Sequence, residues 1–283
     1  MSIREGEFLG VPALLISTPL ATAALSLHGG QLLSFVPRGS EDLLWLSPIS
    51  QRVPAAIRGG VPVCWPYFGR EGQTAQVPQH GFARTTRWVL ANVTRDSDDG
   101  ITLELELPET AATPLRLTQR LHIGLALRQA LGTHNAGPSP LSFTQALHSY
   151  FRVGDASRAQ VSGLDGAEYV DRYDGALHTQ VGQWHLHDPR DPGRSDRTYR
   201  DVGDRFELVD PVLGRRIELT TSGSRSLVVW NPGARGIGAI SDAPADGWRQ
   251  FVCVETANAG TDVISLAPGA SHSLQQTVRV SPL

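Results

Sequence analysis

Ile101-Thr102-Leu103-Glu104-Leu105-Glu106-Leu107 alternates apolar and polar side chains with a period of two. That is the spacing of a β-strand with one face in a core and the other toward water. Further β-rich runs occupy 120–127, 141–153, 216–220, 227–230, 250–255 and 274–280, separated by turn-forming clusters. No window of about 12 residues carries an apolar stripe at helical spacing, which argues against alternating βαβ units. The fold class expected is all-β. Many antiparallel strands in one chain bury their apolar faces most simply between two stacked sheets, so a large antiparallel β-sandwich is predicted. The polar, proline-punctuated segment 185–200 reads as a loop. No linker or internal repeat divides the chain, so residues 1–283 are expected to form a single domain.

The composition fits that reading. Of 283 residues 40% are hydrophobic and 19% charged, with six tryptophans, 29 glycines and 19 prolines: a turn-dense globular chain with enough apolar mass for a sizeable core. A formal net charge of −3 argues against a nucleic-acid surface, which needs clustered basic residues. Only Cys64 and Cys253 are present, both in apolar strand-like runs. They read as small buried hydrophobes of a reducing compartment, and a cytoplasmic location is expected. The run 11–24 imitates a signal-peptide core, but Pro12, Pro19 and the upstream Glu5 and Glu7 speak against it. No stretch approaches the roughly 18 uninterrupted apolar residues of a membrane span.

Charge concentrates in two glycine- and proline-rich stretches. Ile57-Arg58-Gly59-Gly60-Val61-Pro62-Val63-Cys64-Trp65-Pro66-Tyr67-Phe68-Gly69-Arg70 precedes Pro78-Gln79-His80-Gly81-Phe82-Ala83-Arg84. Such a backbone cannot continue as a helix and holds its charged side chains on bends. Guanidinium forks suit carboxylate or phosphate oxygens, and an imidazole can transfer a proton near neutrality. An anionic, polar small molecule is the expected ligand. Strand alternation puts His148, Tyr150 and Arg152 on one face of 145–153, opposite Leu147, Phe151 and Val153. In Phe251-Val252-Cys253-Val254-Glu255, the carboxylate shares a face with Phe251 and Cys253, and partial desolvation there raises its pKa and makes it a better base.

Taken together, the blocks Arg58-Gly59-Gly60-Val61-Pro62, Trp65-Pro66-Tyr67-Phe68-Gly69, Pro78-Gln79-His80-Gly81-Phe82-Ala83-Arg84 and Leu147-His148-Ser149-Tyr150-Phe151 resemble the glucose-6-phosphate 1-epimerases of the aldose 1-epimerase (galactose mutarotase-like) superfamily. The resemblance continues through Ser195-Asp196-Arg197-Thr198-Tyr199, Val229-Trp230-Asn231-Pro232, Val252-Cys253-Val254-Glu255-Thr256 and Leu266-Ala267-Pro268-Gly269. It implies a β-sandwich with an open sugar groove. It implies Glu255 as general base toward the anomeric hydroxyl and His148 as general acid toward the ring oxygen. His80 resembles the second family histidine, on the ring-oxygen side, and Asp196 a carboxylate that accepts from sugar hydroxyls. Arg58 and Arg84 match arginines that grip phosphate, with Gln79 beside them and Arg70 as an additional contact.

The implied reaction interconverts α and β hexose 6-phosphates by acid–base ring opening and reclosure, with no metal or nucleotide cofactor, in a monomer whose only partner is the small sugar phosphate. A mutarotase of unphosphorylated aldoses and a non-catalytic sugar-phosphate-binding protein are the alternatives. The three arginines argue against the first, and the paired His148 and Glu255 against the second. His185 and His187 stand at i, i+2, but no third ligand at fixed spacing accompanies them, so a zinc site is not expected there.

Overall fold

The computed structural model describes residues 1–187 and 193–283. Its regular structure is almost entirely β, and every ladder between named strands is antiparallel. A nine-stranded sheet runs in the order Trp184–His185, Gln160–Ser162, Arg205–Asp210, Arg215–Ser222, Ser271–Pro282, Leu127–Asn135, Leu115–Ile123, Ile101–Glu106, Val89–Arg95. An eight-stranded sheet runs Leu177–Thr179, Glu168–Asp171, Ser195–Arg200, Ser226–Asn231, Phe251–Asn258, Gln145–Leu147, Val63–Cys64, with Tyr150–Arg152 also paired to Phe251–Asn258. A four-stranded meander, Ser2–Phe8 to Gln31–Pro37, precedes them. The segment that imitated a signal peptide forms two of its strands, Val11–Ser17 and Ala21–Ser26.

The large sheets stack as a β-sandwich. Ile101, Leu103 and Leu105 point from the opening heptapeptide into a core that they share with Trp65, Leu147, Val252 and Val254. Polar residues also cross between the sheets. Ser149 Oγ and Thr256 Oγ1 donate to Gln276 Oε1 at 3.1 and 3.2 Å, and Gln276 Nε2 donates to Gln129 Oε1 at 3.1 Å. Buried groups satisfied in this way help to fix one packing over its alternatives. Because one side of Phe251–Asn258 faces the second sheet, its alternate residues Phe251, Cys253 and Glu255 are left for the opposite face.

Two readings of the sequence are corrected. The run 120–127 is not one strand: Leu115–Ile123 and Leu127–Asn135 are separate, joined by a tight turn at Gly124. The segment 185–200 is not simply a loop. His185 ends one strand and Ser195–Arg200 lies inside the eight-stranded sheet, while 188–192 fall outside the described residues. Its polarity misled because tertiary pairing satisfies it. Ser195 Oγ donates to the Val229 carbonyl at 3.1 Å, and the buried Arg197 donates through Nη1 to Gln180 Oε1 at 3.0 Å.

Candidate active site

Ladder register gathers the ionisable groups. Leu147 pairs with Thr256 and Tyr150 with Cys253, so the intervening His148 falls opposite Glu255. The same register continues outward: Cys253 pairs with Trp230, and Trp230 with Asp196. Asp196, Trp230, Cys253 and Tyr150 thus form one row across the sheet, and Glu255 and His148 lie in the next. The ladder is interrupted at 148–149, where the His148 N–H donates instead to the Pro62 carbonyl at 3.0 Å and Tyr150 N–H to Gly60 at 2.9 Å. Those bonds tie the Arg58-Gly59-Gly60 turn to the face that carries His148 and Glu255. Gly60 is obligatory there: its φ is +64°, and a Cβ would land on the Leu32 carbonyl oxygen.

Above this face lies a cavity of about 360 Å³. Arg58, Gln79, His80, Arg84, His148, Asp196 and Glu255 all line it. Arg70 does not; it is exposed, and its Nε donates to the Val77 carbonyl at 2.9 Å. The expected three-arginine cluster is therefore corrected: Arg172, which carried no motif signal, lines the cavity and Arg70 does not.

His148 Nε2 sits 3.4 Å from Glu255 Oε1, with the residues only 8% and 1% exposed. His148 Nδ1 and Glu255 Oε2 are buried without hydrogen-bond partners among the described residues. Burial penalises both charges. It pushes His148 down to about 3, helped by the guanidinium groups of Arg58 and Arg84. It pushes Glu255 well above the carboxylate range, aided by Asp196 and opposed by Arg172. Both shifts favour an uncharged pair, the one exchangeable proton between them resting on the Glu255 carboxyl.

His80 has the left-handed φ of +64°, with its N–H donating to the Gly69 carbonyl at 2.6 Å and its Nδ1 accepting from Gly69 N–H at 3.1 Å. An accepting Nδ1 fixes the proton of the neutral ring on Nε2. Burial, then His148 and Arg84, holds its pKa well below that of a free imidazole. His80 is a preset neutral donor.

Arg58 donates through Nε to Asp242 Oδ1 and through Nη1 to the Tyr150 hydroxyl, each at 3.1 Å. Arg84 lies within the short 3-10 turn Ala83–Thr85 and donates through Nη2 to the Gln79 carbonyl at 2.7 Å. Neither guanidinium exhausts its five donors. Arg172 Nε lies 4.0 Å from Asp196 Oδ1, and its guanidinium carbon is 5.9 Å from the Phe68 ring centroid. Sequence reading missed Arg172 and Asp242 because each stands in a turn whose direction depends on distant strand pairing. Cys64 and Cys253 are free and buried, and burial pushes both thiols up, away from the nucleophilic thiolate.

The family profile for aldose 1-epimerase matches residues 12–279. A relative from Escherichia coli K12 named "Putative glucose-6-phosphate 1-epimerase" is 35% identical over 277 residues, 95% of this chain and 90% of that protein. One of the same name from Salmonella typhimurium LT2 is 35% identical over 254 residues, covering 86% and 82%. Among solved structures, one described as "a putative mutarotase" from Salmonella typhimurium superposes with a TM-score of 0.89 at 32% identity, covering 99% of this chain and 94% of that one. A galactose mutarotase-like protein from Clostridium acetobutylicum shares the fold, with a TM-score of 0.74 at 13% identity over 100% and 99% of the two chains. By sequence and by fold, the chain belongs to the aldose 1-epimerase family.

Proposed function

We propose that the protein interconverts the α and β anomers of a hexose 6-phosphate, with D-glucose 6-phosphate as the reference substrate. The observation that carries this reading is the buried His148–Glu255 pair, 3.4 Å apart, in a cavity that Arg58 and Arg84 also line. A proton-transfer pair meets anion-binding forks in one space large enough for a sugar. Burial and opposed ionisable neighbours around a pair in a cleft are the marks of acid–base machinery.

In the working form the shared proton lies on His148 Nε2 and Glu255 is a carboxylate. Glu255 takes the O1 proton while His148 gives its proton to the ring oxygen O5. The C1–O5 bond breaks as the C1=O1 double bond forms. Rotation about C1–C2 presents the other aldehyde face. On closure O5 attacks C1, His148 takes back its proton and Glu255 returns the other, so the enzyme ends unchanged. His80 donates through Nε2–H on the ring-oxygen side, Asp196 accepts from sugar hydroxyls, and Trp230 supplies an apolar platform. Proton transfers of this type contribute roughly 10²–10⁴-fold each, and the phosphate contacts add orientation. No step calls on a metal or a nucleotide.

The second reading is a mutarotase of unphosphorylated aldoses. Asp242 favours it, because its carboxylate already partners Arg58. Exchange NMR between α and β glucose 6-phosphate, with free glucose in parallel, separates the two. Selective acceleration of the phosphate ester, lost in Arg84→Met, supports the proposal. Acceleration of glucose alone supports the second reading, and acceleration of neither refutes both.

A further inference from the structure

The side chains that would hold phosphate are physically joined to the imidazole that would move the proton. Tyr150 is the joint. Its hydroxyl accepts from Arg58 Nη1 at 3.1 Å, and its ring lies flat on His148, with centroids 4.8 Å apart and planes within 10°. Phe251 packs on Tyr150 at 5.0 Å, and Trp45 and Trp230 at 5.9 and 6.0 Å, so the ring has no room to swing. Asp242 holds the far side of Arg58. The guanidinium is thereby kept one aromatic ring away from the imidazole, close enough for its charge to act on the ring.

We infer that an anion held by Arg58 and Arg84 switches on the His148–Glu255 pair, so that the phosphate of the substrate takes part in ring opening as well as anchoring it. The inference rests on the proposed phosphate reading and deepens it. The groups facing His148 are few. Glu255 shares its proton, and His80, 5.6 Å away between ring centroids, is neutral. Burial keeps the Tyr150 phenol and the Cys253 thiol protonated. Asp196 and Arg172 act on Glu255 with opposite signs. Burial is the first obstacle to protonating His148, and the charges that add to it are those of Arg58 and Arg84.

A phosphate dianion laid against those two cations offsets their field. The shared proton then crosses from Glu255 to His148: the Oε1–H bond breaks and Nε2–H forms, with no proton drawn from solvent. Base and acid appear together, and chiefly when the anion is bound. A sugar without phosphate meets the pair in its idle tautomer, so phosphate raises kcat as well as lowering KM. Tyr150 is a positioning residue in this scheme, acting through Arg58 and His148.

The test uses the full chain with ¹⁵N-labelled histidine and inorganic phosphate as the probe, without sugar. At neutral pH, saturating phosphate is expected to move the His148 ring nitrogens from the neutral to the imidazolium pattern, and the Glu255 carboxyl carbon to the carboxylate position. In parallel, anomer exchange of D-xylose, which lacks C6, is followed with added phosphite, subtracting phosphite alone as the blank. The protein-dependent rate is expected to rise about tenfold and to saturate. Arg84→Met removes the increment, and Tyr150→Phe, which keeps the stacked ring and deletes the hydroxyl link, reduces it. A His148 that stays neutral in phosphate overturns the inference even if glucose 6-phosphate is turned over, and so does an absent xylose increment. A protonated His148 and a phosphite-activated xylose rate, with glucose 6-phosphate unaffected, would instead leave the coupling standing and sink the assigned substrate.

Discussion

Arg58 Nε and Asp242 Oδ1 are 3.1 Å apart, and the Asp242 side chain is only 8% exposed. The carboxylate aims the guanidinium and also subtracts a charge from the anion-binding side. Removing it therefore has two opposed consequences, of which aim should dominate, because a freed guanidinium folds away from its bidentate geometry. Asp242→Ala is expected to raise KM for glucose 6-phosphate about tenfold, equivalent to ~1.4 kcal/mol. Asp242→Asn, which keeps an acceptor and drops the charge, should retain most of the affinity. Steady-state anomerase assays on the two variants check the order; an Asn variant as impaired as the Ala variant would show that charge, not aim, is what Asp242 supplies.

Glu255 carries the clearest prediction for stability. Burial raises its folded pKa above the reference of 4.5. Below that reference the carboxyl is protonated in both the folded and the unfolded state and costs nothing. As pH rises through the folded value, the unfolded chain releases its proton more readily, and the folded state loses stability. Glu255→Gln should consequently raise unfolding free energy by about 1–3 kcal/mol at neutral pH, with the gain shrinking toward pH 4. The same change should cut anomer exchange by roughly 10²–10⁴-fold. Denaturant melts across pH and exchange NMR test both halves, and unchanged exchange would remove Glu255 from the base role. His148 behaves with the opposite sign: its folded pKa of about 3 lies below the reference of 6.5, so stability is lost as pH falls between them.

Arg172 is the cation that lowers the Glu255 pKa, and it stands 4.0 Å from Asp196, which raises it. Arg172→Met leaves Asp196 uncompensated. The acid limb of the kcat profile should then move to higher pH, and activity at neutral pH should fall. Arg172→Lys should restore much of the limb's position, because the charge returns even though the fork does not. A profile that falls uniformly without moving would mean that Arg172 only binds substrate.

The alternation at 101–107 made the strand readable, because one face of Ile101–Glu106 packs into a large core and the other does not. Period-two reasoning also placed His148 with Tyr150, and Glu255 with Cys253, on faces that proved to be shared. It could not place His148 opposite Glu255, since that depends on the register between strands about a hundred residues apart. Asp242 and Arg172 were invisible for the same reason: each acquires meaning only from a partner brought in by the fold, Arg58 for one and Asp196 for the other. Ser195–Arg200 shows the reverse failure. Its polar side chains satisfy the usual signature of a loop, yet buried partners such as Gln180 make them acceptable in a central strand.

Arg70 and Arg84 separate local sequence from the site itself. Both belong to the charged, turn-rich stretches, yet Arg84 lines the cavity, whereas Arg70 is exposed and closes its own loop by donating to the Val77 carbonyl at 2.9 Å. An exposed side chain bonded to its own loop contributes little beyond local order. Arg70→Ala should therefore leave kcat/KM for glucose 6-phosphate within about twofold, with at most about 0.5 kcal/mol lost from stability. Arg84→Met should depress the same parameter at least about tenfold, while leaving the slower exchange of free glucose much less affected. If Arg70→Ala instead matches Arg84→Met on the phosphate ester alone, the loop between Gly69 and Pro78 must close over bound substrate and carry Arg70 onto the anion.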